Sequence, residues 1–393
     1  MKNENNEKIG LATATIVGMN AMIGAGIFSV PAALGSSVGP AGIVTYLFVI
    51  IAVWFMGSSM ARLAQLYPEE GSFYTYASQW GGHITGLLSA GSYLIGLIIA
   101  MGLLTQMAGQ NLHEAFPHVS AHTWGLVVLI ALVILNIVGV TLSKIGQLVL
   151  ICCTVFPILM TTIIGFMHGS SANLTPFLPY GFTHLFTATN AVIFGFFGFE
   201  CAASLFSVVE NPQENVPKAL RYSIILVGLL YLGFVGSIIY ALPLSYFTDP
   251  AISLRSLLAH IVPHHPWLLR LIHYSVLSAI LGTVHSMIWG SSTLLVAYYK
   301  KFKSPILQHL NLTNRWAVII IGFSIFITFS LLKNISIFFN LTSIFLIFAF
   351  VTSMISLLTL SEEWKTGQNI KTILGMITAF LIFYFALYGL LSS

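Results

Sequence analysis

The stretch NAMIGAGIFSVP, residues 20–31, lies inside the first long apolar segment of the chain, residues 9–33. It puts Gly24 and Gly26 on either side of Ala25, in the middle of what would otherwise be a regular membrane helix. A glycine in a helix interior costs about 1 kcal/mol relative to alanine. Backbone freed by a break within a bilayer persists only when it is buried in protein or lines a polar cavity. The stretch is therefore expected to break over residues 24–28 and to form a binding site, with the rest of the chain arranged to hold it.

Across 393 residues the chain is 57% hydrophobic and 7% charged, far from the roughly one-quarter charged residues of a soluble domain. A bilayer core about 30 Å thick takes about 20 apolar residues per helix. Eleven such spans can be laid down, at residues 9–33, 40–66, 84–111, 122–141, 146–168, 185–209, 220–243, 269–299, 316–333, 336–360 and 370–391. The expected fold is an all-α, multi-pass integral membrane protein. Cytoplasmic loops are enriched in Lys and Arg. With the N-terminus in the cytoplasm, only Arg255, Arg270 and Lys333 of the 15 basic residues fall outside. The net charge of +4 is thus a topological signal, and no nucleic-acid partner is expected. The polar start MKNENNEK and the long first span do not fit a cleaved signal peptide. Cys152, Cys153 and Cys201 all fall within spans, so they are read as small apolar filler without a disulfide framework.

The segment ARLAQLYPEEGSFYTYASQWGGHITG, residues 61–86, reads as a cytoplasmic connector with interfacial Tyr74, Tyr76 and Trp80. The loop bearing His113, Glu114, His118 and His122 has no regular metal-ligand spacing and reads as solvated. The sixth span repeats the peculiarity of the first: Gly195 and Gly198 interrupt an aromatic run that ends in Glu200. Spans one and six each open a set of five, and an odd number per set inverts the second set relative to the first. That is the layout of inverted-repeat transporters, which bind at the midplane between broken helices. The alternative for any single glycine is a close-packing point between helices. The expected units are a tail at residues 1–8, five-helix repeats at 9–168 and 185–360, and an extra helix at 370–391.

Glu200 is the one acidic residue placed deep in a span, and intramembrane ionisable groups are functional candidates. It reads either as a protonatable coupling group or as a structural carboxyl satisfying backbone freed by the break. His273 and His285, in the eighth span, belong to the residue type that titrates near neutral pH, and each reads equally as a packed side chain. The half-helix after Gly26 would offer N–H groups and a positive dipole end, suited to a carboxylate. The half-helix ending near Met22, with the carbonyls around Phe194 and Phe197, would suit an ammonium. Together they complement an α-amino acid zwitterion.

These residues resemble the amino acid permeases of the amino acid, polyamine and organocation (APC) superfamily, whose fold is similar to that of the leucine transporter. The resemblance rests on GAGIFSVPA (24–32), ARLAQLYPEEGSFYTY (61–76), FGFFGFE (194–200), ENPQENVP (210–217) and LGTVHSMIWGSS (281–292). It implies a five-plus-five inverted repeat with discontinuous helices one and six, and a secondary transporter rather than an enzyme. It implies that Ala25 and Gly26, next to Gly24, give N–H groups to the substrate carboxylate, and that Met22, Phe194 and Phe197 give carbonyls to its ammonium. Phe194 would also be an aromatic gate, Met287 would stand where some relatives have tryptophan, and Glu200 would be the sixth-helix acid of proton coupling.

The chain departs from the family's pattern in three ways. Thr154 stands where some members carry a fifth-helix lysine, so Thr154, Thr283 and Ser286 are the residues that would line a sodium site if coupling does not rest on Glu200. Eleven spans replace the usual twelve, which would put the C-terminus outside. No pocket acid other than Glu200 is free for a substrate side chain, which favours neutral, apolar or aromatic amino acids. The expected partners are a small amino acid, a proton or sodium ion, and the lipid bilayer. No cofactor or resident metal is expected, and the protein would be a monomer or homodimer. Transport is expected to be proton-coupled or by exchange, and the alternatives are a sodium-coupled symporter, or a non-transporting sensor or channel or a metal carrier of the same fold.

Overall fold

The computed structural model describes residues 8–67, 73–139, 144–200, 209–250, 252–263, 266–301, 312–360 and 369–391. Its first helices are α1 (Leu11–Met22), α2 (Val30–Ser37), α3 (Gly42–Leu66), α4 (Phe73–Ala115), α5 (Ala121–Val138) and α6 (Lys144–Met167). Two short helices follow, α7 (Phe182–Thr187) and α8 (Thr189–Phe194). The remainder is α9 (Pro212–Ala241), α10 (Leu254–Ile261), α11 (Pro266–Lys301), α12 (Asn314–Leu331), α13 (Ile335–Leu358) and α14 (Asn369–Leu391).

Among the described residues eight helices are long and apolar enough to cross a membrane, and a bent pair, Leu11–Met22 with Gly26–Ser37, makes a ninth. Two shorter apolar helices, Cys152–Met167 and Phe182–Phe194, stand where the fifth and sixth spans are expected. Part of the expected sixth span, residues 201–208 with Cys201, lies outside the described residues, as do residues 1–7 of the tail and 68–72 of the connector. The chain is an all-α, multi-pass integral membrane protein. Its helix starts follow ordinary capping chemistry: Ser120, Thr313 and Asn334 accept hydrogen bonds from Thr123, Trp316 and Ser336 N–H. Successive spans run in opposite directions, so α1 begins on the same face of the bundle as the end of α3, and α2 ends on the opposite face.

The interior is organised about α4, which packs against α5, α11, α12 and α13. The pairings recur with a shift of five spans. The first span meets the seventh (α1 with α9) and the sixth meets the second (α8 with α3). Likewise α4 meets α13 as α11 meets α6, α6 meets α9 as α13 meets α3, and α5 meets α4 as α12 meets α11. The last helix, α14, packs on α3 and α13.

Two expectations need correction. The connector is partly helical: α4 bends at Gly82, whose φ of 71° favours glycine, and the turns before the bend fold back onto the bundle. Tyr76 is consequently buried at 4% exposure rather than interfacial, and Phe73 stacks on Tyr93 with ring centroids 4.2 Å apart. Cys152 and Cys153 are exposed on α6 and fill no interior space. One further link lies outside the helices. Ile9 and Val209 form a parallel bridge, with the Glu210 N–H donating to the Ile9 carbonyl at 3.0 Å.

Candidate functional site

The first span does break at the glycines. α1 ends at Met22, Gly24 is extended (φ −108°, ψ −166°), and a single 3-10 turn, Ala25–Phe28, leads toward α2, which has a proline in its first turn. The two halves are bent by 51°. Within the turn the N–H groups of Ala25 and Gly26 precede the first carbonyls that could accept them, as at any helix start. At the other edge, the Met22 carbonyl accepts from Gly24 N–H at 2.7 Å and from the Tyr231 hydroxyl at 2.8 Å. In this arrangement both lone pairs of that carbonyl are engaged.

The sixth span opens after Phe194 into turns across residues 195–200. Gly198 has φ +109°, and a Cβ there would lie 2.3 Å from the Ala21 carbonyl oxygen. The two broken spans therefore touch backbone to backbone. Glu200, 7% exposed, holds this opening together. One carboxyl oxygen accepts from the Tyr93 hydroxyl of α4 at 2.6 Å, and the other accepts from Gly198 N–H at 3.0 Å.

Both breaks face one cavity of about 420 Å³, completed by α4, α6, α11 and α13. That volume is in the range of small-molecule sites, roughly 300–1,000 Å³. Met22, Gly24, Gly26, Phe194, Phe197, Met287 and Glu200 all line it, as do Thr154, Thr283 and Ser286. For Ala25 the structure describes the backbone, in the 3-10 turn beside Gly26. Phe194 is buried and lies so close that a Cβ on Gly26 would sit 2.9 Å from its ring. Phe194 is backed by Phe339 at 5.1 Å, and Phe197 stacks on Phe350. The Thr283 hydroxyl donates to the Ala279 carbonyl at 2.8 Å, which leaves its oxygen able to accept or to ligate.

His285 engages α5 and not the cavity. Its ring contacts the Asn136 amide of α5 at 2.9 Å, and it is absent from the cavity wall. The loop histidines are likewise occupied separately. His113 bonds the Val119 carbonyl at 2.7 Å, and His122 stacks on Phe329. No group of three His, Cys, Asp or Glu residues suited to a metal ion occurs among the described residues.

Sequence reading missed Tyr93, Tyr231 and Asn20. Asn20 lines the cavity, while Tyr231 is fully buried behind it. Their only signal was a polar group within an apolar run. Removing the Tyr231 hydroxyl deletes one buried hydrogen bond, worth about 1 kcal/mol. Tyr231→Phe is expected to lower the melting temperature and to weaken ligand binding about fivefold; unaltered values in both measurements would leave the bond without a role in fixing the break.

The sequence model of a family described as amino acid permease matches residues 9–392. The chain is similar to the branched-chain amino acid permease BcaP of Bacillus subtilis, at 23% identity over 260 residues, covering 61% of this chain and 56% of that protein. It is similar to the aromatic amino acid transport protein AroP of Escherichia coli O157:H7, at 22% over 303 residues, with 74% and 66% covered. A methylthioribose transporter of Bacillus subtilis matches at 25% over 237 residues, with 56% and 51% covered. The chain thus spans between about half and two thirds of the length of these relatives.

Proposed function

This chain belongs to the amino acid permease family, and on that premise we propose that it is a secondary transporter of neutral, apolar or aromatic amino acids working by alternating access. The observation that carries the reading is the make-up of the cavity. Glu200 is the one lining residue of ordinarily charged type among those described, and its two oxygens already accept from Tyr93 and Gly198. The charged ends of a ligand therefore fall to backbone: N–H groups of Ala25 and Gly26 for a carboxylate, carbonyls at the ends of the broken helices, including Phe194 and Phe197, for an ammonium. Phe194, Phe197 and Met287 are left to contact an apolar side chain. The names of two relatives, one for branched-chain and one for aromatic amino acids, agree with that chemistry.

The recurrence of helix pairings at a shift of five spans supports two inverted repeats, residues 9–168 and 185–360, with α14 outside them. We place the N-terminus in the cytoplasm on the distribution of Lys and Arg. Proton coupling rests on Glu200. The charged carboxyl accepts two hydrogen bonds; a proton on the oxygen facing Tyr93 would reverse that bond and keep the tie to α4, whereas a proton on the other oxygen would weaken its bond with Gly198 N–H. Protonation on that second oxygen thus loosens the turn at the sixth break. Sodium coupling is the second reading, favoured by the convergence of Thr154, Thr283 and Ser286 on the same cavity. Pro157, inside α6, also withholds the usual helical donor from the Cys153 carbonyl.

Uptake of labelled amino acids into proteoliposomes, with proton and sodium gradients imposed separately, tests the reading. Uptake of leucine or phenylalanine driven by one gradient is expected; transport of methylthioribose with none of the amino acids would overturn it. Glu200→Gln is expected to flatten the pH dependence of uptake while changing affinity less than threefold. An unchanged pH profile would remove Glu200 from coupling and leave sodium coupling or exchange.

A further inference from the structure

A second cavity, of about 290 Å³, has Phe28 and Ser29 of the first break in its wall and shares no lining residue with the first. It is walled by the far ends of α4 and α11 and by α10. His273 lines it at 4% exposure, and neither of its ring nitrogens has a hydrogen-bond partner. The side-chain oxygen of Asn111, in the same wall, is also buried without a partner. Polar groups buried in this way each forfeit about 1–3 kcal/mol unless something bonds to them, and such groups call for a physical explanation.

The charges around them are of both signs. Arg255 of α10 and Glu114 near the end of α4 line the same cavity, and both act electrostatically on His273. No ion pair joins the two to each other. A simple anion at His273 would be opposed by Glu114, and a simple cation by Arg255. A ligand with one charge of each sign, a few ångströms apart, meets neither objection.

We propose that this outer cavity is a second binding site for a free α-amino acid, with its carboxylate between Arg255 and a His273 N–H and its ammonium between Glu114 and the Asn111 carbonyl oxygen. The proposal rests on the reading of the chain as an amino acid transporter and adds a site that holds the substrate before it reaches the central cavity. Ligand binding satisfies the two buried orphans that the free protein leaves unbonded.

Equilibrium binding of tritiated L-leucine, L-phenylalanine and L-alanine to the full chain in lipid nanodiscs tests the proposal by stoichiometry. For at least one of these probes, two molecules per chain are expected. Arg255→Gln, Glu114→Gln and His273→Leu should each lower the number to one, and so should Gly26→Val. Combining Gly26→Val with any outer change should abolish binding. The apolar replacement at His273 removes only unpaired nitrogens, so melting temperatures should be kept. A single site lost in Gly26→Val and indifferent to all three outer changes overturns this proposal and leaves the central site standing. A single site lost in the outer variants and indifferent to Gly26→Val does the reverse. Binding of none of the three probes overturns both.

Discussion

Gly26→Val is expected to abolish uptake and to remove binding at the central cavity, a loss of more than a hundredfold, in a protein that still inserts in the membrane. Even a bare Cβ at this position would come within 2.9 Å and 3.0 Å of two Phe194 ring carbons and 3.6 Å of the Gly195 backbone. Valine adds two methyl groups to that crowding, and its branched side chain has few rotamers with which to avoid it. Phe194 cannot yield freely, because it is buried and backed by Phe339. The added bulk also lies over the N–H groups of the 3-10 turn, where a carboxylate must approach closely. Uptake and binding measured beside a melting curve separate this blockade from misfolding. Full uptake in the variant would sink the assignment of the break as the site.

Gly198→Ala is the second change with a large expected effect, and it acts by another route. At φ +109° a non-glycine residue is strained by about 1–3 kcal/mol. The new methyl would also lie 2.3 Å from the Ala21 carbonyl oxygen and 2.8 Å from its carbon. These atoms are backbone, so relief requires the end of α1 to move away from the sixth break. A change of φ at residue 198 that relieved the strain would instead disturb the turn in which Gly198 N–H donates to Glu200. The variant is expected to lose at least tenfold in uptake and several degrees in melting temperature. Retention of both would mean that the two breaks do not need their contact.

Much of the candidate site was legible because it is written in glycine. Gly24, Gly26 and Gly198 interrupt otherwise apolar runs, and the penalty that marks them in sequence is the penalty their contacts with Thr283, Phe194 and Ala21 explain. The residues that brace the breaks were not legible. Tyr93 meets Glu200 across 107 positions of chain, and Tyr231 meets the Met22 carbonyl across 209. Each is a lone tyrosine in an apolar span, and nothing near it names its partner. Tyr76 was misread for a related reason: its neighbourhood is polar in sequence, yet the bend at Gly82 turns it inward. His273 had two readings in sequence, and a choice between them needs the cavity that α4 and α10 close around it.

The short pairing of Ile9 with Val209 sets a condition on how the face bearing the start of α1 can open. The strand-like start of the first helix is stitched to the chain that follows the sixth, so these two ends either swing together as one flap or must first come unzipped. Among the described residues one backbone hydrogen bond crosses the seam; such a bond is worth about 1 kcal/mol net, so releasing it shifts the balance between closed and open by about fivefold. Under the alternating access proposed above, a link of that strength would bias this face toward closure and still let go in each cycle.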